Sequence, residues 1–269
     1  MVSAPPKDIS IAEVIRRFAT KEKEFQRARE QYVYRQSVKV QTLDGDTVDG
    51  EYQMVTDIDY DSQGRRMESV VFAPQSSLVR VSMSREDFES IRSLMPFVLT
   101  TDEITAYTIT YLGQQKVDEL NTYVFDLGPK LMEKGKQYFQ GRIWVDDHDL
   151  QIVKTSGKSV PEKRLDKKGK GEENLFPRFT TWREQIDGVY WFPTYTRADD
   201  VLHFQGGRNS MAQDVHIREI IKYTNYKKFG SNVKITYDGQ EVIKGADGKT
   251  QLPQTTTTPP PKTPPPPRQ

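Results

Sequence analysis

The first apolar pattern along the chain has a helical period. Ser10 and Glu13 are spaced as in a capping box, and the apolar residues that follow recur at every third or fourth position: Ile11, Val14, Ile15, Phe18 and Phe25. Such a stripe buries one side of a helix against a core. The pattern therefore predicts an amphipathic helix that runs to about Glu30.

From Tyr32 onward, apolar and polar residues alternate with period two as far as a turn at Asp44 and Gly45. Further short runs with turn residues between them follow at 52–59, 67–72, 107–112, 122–127, 141–145, 151–154, 179–185, 190–198, 217–229 and 233–237. This spacing leaves no room for crossover helices, so the sheet is not Rossmann-like. The sequence predicts an α+β, mainly antiparallel β protein of about ten strands.

A second helical segment interrupts these strands. Ser84 and Asp87 are typical of a helix start, and the chain continues as an apolar helix and then an apolar run. The apolar residues are Phe88, Ile91, Leu94, Met95, Phe97, Val98 and Leu99. Pro96 should kink or end this helix, because proline has no backbone N–H to donate.

Composition marks the ends of the folded region. Eight of the 16 prolines lie between Pro253 and Gln269, in a stretch that also holds a run of threonines and cannot bury a core. We expect a flexible N-terminus at residues 1–8, one domain at 9–243 and a disordered Thr/Pro-rich tail at 244–269. The tail could also act as a spacer or as a ligand for a proline-binding partner. The charged stretch 158–173 predicts a solvated loop.

One acidic cluster resembles a calcium-binding loop. Asp57, Asp59, Asp61 and Glu68 occupy positions one, three, five and twelve of an EF-hand pattern. The sixth position is Ser62, although the sharp turn of that loop requires glycine, and the flanks alternate with period two. The favoured interpretation is a strand followed by a hairpin turn.

A second cluster joins Asp146, Asp147, His148 and Asp149 between two apolar strands. Three carboxylates and an imidazole could hold a divalent metal or carry out acid–base chemistry. Aspartate is also selected in hairpin turns because it hydrogen-bonds its own backbone. The turn is favoured, and we expect neither a metal nor a cofactor.

Charge and motif content exclude several classes of function. With 39 Lys and Arg against 38 Asp and Glu, the net charge of +1 provides no field to attract nucleic acid. The absence of cysteine removes disulfides, thiolate zinc sites and a cysteine nucleophile. No apolar run is long enough to span a membrane, and no nucleophile elbow, phosphate-binding loop or zinc-protease motif identifies an enzyme. An esterase or metal hydrolase stays a distant alternative.

Large aromatic side chains within the predicted strands leave two interpretations open. A twisted sheet of about ten strands curls, and a helix on its concave side either fills the space or leaves an apolar cavity. The aromatic residues are then either ordinary core or the wall of a site for a lipid-like ligand.

The order of these elements resembles the LolA/LolB-like outer-membrane lipoprotein-sorting superfamily. The likeness covers about residues 9–237 and includes the hairpins GRIWVDDHDLQIVK at 141–154 and WREQIDGVYWFPT at 182–194. It implies a strongly curved, open β half-barrel with helices covering its concave face and acyl chains in the hollow between them. It also implies a periplasmic location. The first residues lack a signal peptide, which fits either a cytosolic protein or a chain that begins after processing.

The resemblance implies a non-enzymatic periplasmic carrier of lipoprotein acyl chains or a similar lipid, with inner- and outer-membrane lipoprotein machinery as further partners. The residues expected to line its apolar hollow are Phe88, Ile91, Leu94, Phe97, Leu99, Trp144 and Trp191. The alternative is an envelope sensor or interaction module of the same fold. It would bind a protein partner through the loop 158–173 or the proline tail.

Overall fold

The computed structural model describes residues 1–6, 9–206 and 211–228, together with the backbone of residues 234–237, 240–244 and 250–251. The chain divides into two compact units, residues 1–227 and 228–269. The domain bounds 1–8, 9–243 and 244–269 stay a prediction. Most of the predicted proline tail, residues 252–269, lies outside the described residues.

The first helix forms where the sequence predicts it. Helix α1 spans Ile11–Arg29, and Ser10 caps it by accepting the Glu13 backbone N–H on its Oγ at 3.2 Å. The Glu13 carboxylate turns away from the cap and accepts hydrogen bonds from Arg16 and Arg17 instead. The cap therefore satisfies one of the free N–H groups of the first turn, while Glu13 forms ion pairs on the outer surface.

The first unit contains a ten-stranded antiparallel sheet, as predicted. Its strands are β1 (Tyr32–Asp44), β2 (Thr47–Tyr60), β3 (Arg66–Phe72), β4 (Tyr107–Val117), β5 (Leu120–Pro129), β6 (Tyr138–Asp146), β7 (Ile152–Val160), β8 (Phe179–Gln185), β9 (Trp191–Phe204) and β10 (Gln213–Lys228). The order across the sheet is β3-β2-β1-β10-β9-β8-β7-β6-β5-β4. The sheet is open, because β3 and β4 are edges, and this arrangement fits a half-barrel. That helices cover a concave face stays a prediction.

The second unit contains a small sheet of its own. Its three strands, β11 (Lys234–Tyr237), β12 (Gln240–Lys244) and β13 (Thr250–Gln251), are neighbours in chain order.

Strand β4 is longer than predicted, because Gly113 does not end it. The register of β4 against β5 shifts between Tyr111 and Gly113, so this glycine forms a bulge within the strand. Gly113 has a φ of +131°, and the Val2 carbonyl occupies the space that a side chain would need. Val2 and Gln114 exchange backbone hydrogen bonds of 2.8 Å, so the N-terminal residues lie along the edge of β4.

The charged stretch 158–173 also differs from the prediction at its start. Strand β7 continues to Val160, so the connection to β8 begins only at Pro161. Within that connection Lys163 pairs with Asn174 as an isolated bridge, and Leu175 and Phe176 are buried. The loop is therefore anchored at its base, although its charged residues remain largely exposed.

The helical insertion begins and ends as predicted. Helix α2 spans Arg85–Glu89, with a reciprocal capping box between Ser84 and Asp87, and a π-helical turn follows at Ser90–Leu94. Helical structure stops before Pro96, whose ring and missing N–H are incompatible with a helix interior.

Two apolar clusters lie on opposite faces of the sheet. Ile143 and Val145 belong to a large cluster that includes Phe18 of α1 and residues of the insertion. Trp144, between them, belongs to a separate cluster with Val124 and Val153. Because side chains alternate along a strand, the two clusters mark the two faces. Helix α1 and the insertion share the face with the larger cluster.

The glycine pair Gly141 and Gly157 permits close packing on the face of the sheet that carries the larger cluster. The two residues are opposite each other on β6 and β7. A Cβ on Gly157 would lie 2.7 Å from the Phe139 ring, and it would also meet the Gln140 carbonyl. Phe139 is fully buried and stacks on Phe97 of the insertion, with 4.5 Å between ring centroids. Gly157 therefore lets this ring lie flat on the sheet.

We expect Gly157→Ala to destabilise the protein by about 1–3 kcal/mol, because the added methyl displaces a packed ring. Gly128→Ala is the matched control on β5, since no atom lies within 4 Å of the added Cβ, and it should change stability by less than about 0.5 kcal/mol. Urea unfolding monitored by circular dichroism measures both. Equal stability of the two variants would contradict this account of Gly157.

Candidate functional site

Four of the predicted site residues lie together in the larger cluster. Ile91, Leu94, Phe97 and Leu99 are all buried there, none of them more than 8% exposed. Phe88 is only half-buried and packs edge-on against Tyr52, with ring centroids 5.9 Å apart. The insertion thus packs its apolar side onto the sheet as a well-filled core.

The two predicted tryptophans do not lie in the larger cluster with these four residues. Trp144 lies in the cluster on the opposite face, and Trp191 packs against that same cluster. Each indole N–H has a local acceptor, Gln115 Oε1 at 3.1 Å for Trp144 and Asp149 Oδ2 at 3.2 Å for Trp191. The alternation of β6 separates Trp144 from Ile143 and Val145, so a single apolar ligand could not contact both groups.

A cavity lies elsewhere, on the face of the sheet that carries the larger cluster. It has a volume of about 300 Å³, and its floor is formed by side chains of β1, β9 and β10. Residues 80–84, Asp87, residues 172–175 and Pro177 form its other walls. None of the seven residues predicted from the sequence lines it. The apolar lining residues are Val40, Val81, Met83, Leu175, Pro177, Leu202, Phe204 and Ile217.

Few polar contacts hold the outer wall of this cavity. Asn174 Nδ2 donates to Ser84 Oγ at 3.1 Å, and Lys163 Nζ approaches Glu86 at 2.6 Å. The wall segments 80–84 and 172–177 have no regular secondary structure. Residues 80–84 are exposed or half-buried and open at low free-energy cost relative to a core strand, whereas Leu175 and Phe176 anchor the other segment.

The floor of the cavity contains a buried carboxyl group. Glu219 lies on β10 between Ile217 and Ile221, and it is 5% exposed. Within the described part of the chain, no hydrogen bond or ion pair reaches its carboxyl. Burial raises the pKa of Glu219 to about 8, and the charge of Asp87 adds to this shift. The pKa of Asp87 is itself raised, mainly by burial.

The other charged residues of the lining have partners of their own. Arg80 contacts Asp49 at 2.7 Å and donates to the Leu43 carbonyl, so its charge is already balanced. Glu172 faces Lys163 at 3.4 Å, and Glu173 accepts the Gln205 backbone N–H. The cavity therefore presents one buried acid, Glu219, and one half-buried acid, Asp87, without a described cation facing either of them.

A second buried acid lies at the contact between helix α1, the insertion and the sheet. Glu22 of α1 and Arg183 of β8 are 0% and 1% exposed and approach to 3.0 Å. Arg183 also donates to the Phe97 carbonyl and lies 5.1 Å from the Phe25 ring centre. Glu22 accepts the Ile152 backbone N–H at 3.3 Å. Burial raises the pKa of Glu22, while the facing guanidinium opposes this shift.

The sequence contains a signal for these buried charges. Glu22 occupies the apolar stripe of α1 between Phe18 and Phe25. Arg183 and Glu219 each occupy a core-facing position of a strand. The other core-facing residues of these strands are apolar or small. A charged residue at a position that the period assigns to the core is the observable sign of a functional or pairing role.

The acidic pattern at Asp57, Asp59, Asp61 and Glu68 forms a hairpin, as favoured above. Asp57 pairs with Arg35 at 2.7 Å, and Asp61 Oδ1 accepts two backbone N–H groups of the turn, while Glu68 lies on β3. The carboxylates are thereby distributed along two strands instead of converging on a centre.

The second acidic cluster also forms its expected turn. Asp146 Oδ2 accepts the backbone N–H groups of His148 and Asp149. Donor atoms of Asp146, His148 and Asp149 lie within 4.8 Å of one another, a grouping that could hold a metal ion. The fit is poor, because Asp146 is committed to the turn, Asp149 accepts from Trp191, and the His148 side chain is 91% exposed.

Several solved structures are similar to this chain over most of its length, at low sequence identity. It is similar to a DUF1329 family protein from Desulfovibrio piger (14% identity, 80% of this chain and 92% of that one, TM-score 0.38). It is also similar to a LolA superfamily protein from Nitrosomonas europaea, with 17% identity over 81% of this chain and 94% of that one and a TM-score of 0.35. A third similar structure is a putative outer membrane lipoprotein-sorting protein domain from Vibrio parahaemolyticus, with 11% identity over 77% of this chain and 91% of that one and a TM-score of 0.35.

No protein-family model and no curated protein matches the sequence. Among the described residues, no helix is both long and apolar enough to cross a membrane.

We expect Glu22→Gln to destabilise the protein by about 3–5 kcal/mol, because it leaves the Arg183 guanidinium buried without its counter-charge. Glu24→Gln on the same helix is the control, since its partner Lys21 and Glu24 itself are each 46% exposed, and it should cost less than about 1 kcal/mol. Chemical unfolding of the three proteins gives the comparison. A Glu22→Gln protein as stable as Glu24→Gln would show that the pair is energetically unimportant.

We expect the unliganded protein to lose stability as the pH rises from about 5 to about 8, through the contribution of Glu219. In this window the unfolded chain releases the proton at the ordinary pKa of 4.5, whereas the folded chain keeps it up to about 8. Glu219→Gln should remove this contribution and flatten the profile. Melting temperatures measured from pH 5 to 8 test this, with exposed Glu184→Gln as the control. Parallel profiles for wild type and Glu219→Gln would contradict it.

Proposed function

We propose that the protein is a non-enzymatic binding protein for an acyl chain or a similar lipid, held in the cavity between the sheet and the segments 80–84 and 172–177. The observation that carries this proposal is the cavity itself, about 300 Å³ in volume with eight apolar residues in its lining. Burying an apolar chain contributes about 0.8 kcal/mol per methylene, so such a lining favours hydrocarbon.

The wall of the cavity supports reversible entry. One hydrogen bond, from Asn174 to Ser84, connects the two outer segments. The ion pair of Lys163 with Glu86 joins α2 to the start of the connection between β7 and β8. Breaking a small number of exposed polar contacts costs little, because water replaces each of them. The outer wall would then open without disturbing β1, β9 or β10, and the ligand would exchange through it.

A longer chain would need more room than the cavity offers. The insertion continues from the cavity wall at Asp87 into Ile91 and Leu94, and then into Phe97 and Leu99, so displacement of this segment from the sheet would extend the apolar surface. In this proposal those four residues contact the distal part of a long chain. Trp144 and Trp191, on the opposite face, take no part.

We extend the proposal to a periplasmic carrier of lipoprotein acyl chains, which is the role implied by the resemblance in sequence. Lipoprotein machinery of the inner and outer membrane would then be the donor and acceptor of the ligand. This extension depends on the resemblance, whereas the binding of hydrocarbon depends on the cavity alone.

An interaction module is a second candidate, favoured by the exposed edge strand β3. Its Met67, Val70, Val71 and Phe72 are 53%, 62%, 51% and 50% exposed. An apolar edge strand presents unpaired backbone groups to a partner strand. This candidate requires no ligand in the cavity, so a binding experiment on the cavity separates the two.

Leu202→Trp should weaken binding of the neutral fluorescent probe N-phenyl-1-naphthylamine by about tenfold or more, because the larger side chain fills the cavity. Val201→Trp is the matched control, since Val201 is the preceding residue on β9, faces the other side of the sheet and is 56% exposed. Fluorescence titration measures affinity, and circular dichroism checks folding.

Met83→Trp, from the outer wall, serves as a second filling variant if Leu202→Trp is unstable. Absence of probe binding to the wild type, or unchanged affinity in both filling variants, would refute the proposed function and leave the interaction module as the better hypothesis.

A further inference from the structure

The carboxyl of Glu219 is the one feature of the cavity that hydrocarbon binding leaves unused. A buried acid without a hydrogen-bond donor costs several kcal/mol of desolvation if it is charged, and it remains a polar defect if it is neutral. Such a group is kept in a core only where something else satisfies it. Glu219 is 5% exposed and lines the cavity, so its carboxyl is open to water or to a polar group of a molecule bound there.

The surroundings of Glu219 favour a positive partner. The α2 segment contributes Asp87, the outer loop contributes Glu172 and Glu173, and the segment before α2 contributes Arg80. Arg80 is balanced by Asp49, and Lys163 lies near Glu86 and Glu172. Asp87 receives both of its hydrogen bonds from Ser84 on Oδ2, which leaves Oδ1 available among the described contacts.

On these grounds we propose that the cavity recognises an amphiphile with an ammonium head group, whose N–H groups bind the carboxylates of Glu219 and Asp87 while its chain lies against the apolar lining. This proposal rests on the proposed function and names the chemical class of the ligand. A cation relieves the repulsion between the two acids, and an ammonium group has donors for both. An anionic head group would add a third negative charge in the same enclosed space.

The size of the cavity limits the chain. A volume of about 300 Å³ equals that of about ten water molecules in the liquid. A methylene group is comparable in size to a water molecule, so a chain of about eight to ten carbons fits without displacement of the insertion. Decylamine, 1-decanol and decanoate are therefore matched probes that share a chain and differ in the charge of the head.

Binding of the amine is also coupled to a proton. With the pKa of Glu219 near 8 in the empty protein, the carboxyl carries a proton at pH 7, and an ammonium group must displace it. Alkylamines stay protonated throughout the range from pH 6 to 8. The affinity for decylamine should therefore rise by up to about tenfold per pH unit as the pH approaches 8, while the affinity for 1-decanol should not.

The test is displacement of N-phenyl-1-naphthylamine from the full-length protein by the three probes at pH 8. We expect decylamine to bind at least about tenfold more tightly than 1-decanol, and decanoate to bind more weakly than either. In Glu219→Gln the ratio of amine to alcohol affinity should fall to within about twofold. Glu184→Gln, an exposed acid on β8, should keep the wild-type ratio.

Calorimetric titration of decylamine at pH 7 in two buffers of different ionisation enthalpy provides a test that needs no variant. Release of about one proton per amine bound supports the proposal. Equal affinity for amine and alcohol, preference for decanoate, or no proton release overturns the ammonium specificity while the proposed function stands. If none of the three probes displaces the fluorophore, the proposed function fails and this inference fails with it.

Discussion

The buried pair of Glu22 and Arg183 is the interaction on which the arrangement of helix, insertion and sheet depends. It connects α1 to β8, and the same guanidinium holds the carbonyl of Phe97 in the insertion. Ion pairs of this kind add little net stability over apolar residues of equal size, because desolvation offsets the attraction. Their effect is to make one arrangement acceptable, since any shift of the helix leaves a charge buried alone. The pair therefore fixes position more than it adds stability.

The two buried glutamates, Glu22 and Glu219, differ in whether the chain supplies a partner for the carboxyl group. Glu22 is matched by a guanidinium and a backbone N–H, and its neighbours pack as core around it. Glu219 faces a cavity and another acid, with no described donor. Both are charged residue types at positions assigned to the core. The difference is that the carboxylate of Glu22 has its partners within the described chain, whereas the carboxyl of Glu219 borders a cavity.

Periodicity predicted the elements well because local patterns determine them. The stripe of α1, the alternation in β1 and the capping residue Ser84 each depend on neighbours within a few positions. The site was not predicted with the same success. Trp144 and Trp191 were assigned to the hollow by residue type, although the face that each occupies depends on strand register. Gly113 was assigned to a turn, and the approach of Val2, more than a hundred residues away in sequence, made it a bulge instead.

The order of strands has a consequence for how this chain reaches its fold. Strands β1 to β3 form one meander and β4 to β10 form another, and each consists of hairpins between neighbours in sequence. Within the sheet, the two meanders join where β1 lies beside β10. That seam joins segments about 180 residues apart, which is slow to form because loop closure costs entropy. We expect the two meanders to form early and independently. Their docking along β1 and β10 would then be the rate-limiting step, and the approach of Glu22 to Arg183 across the two halves would report its completion.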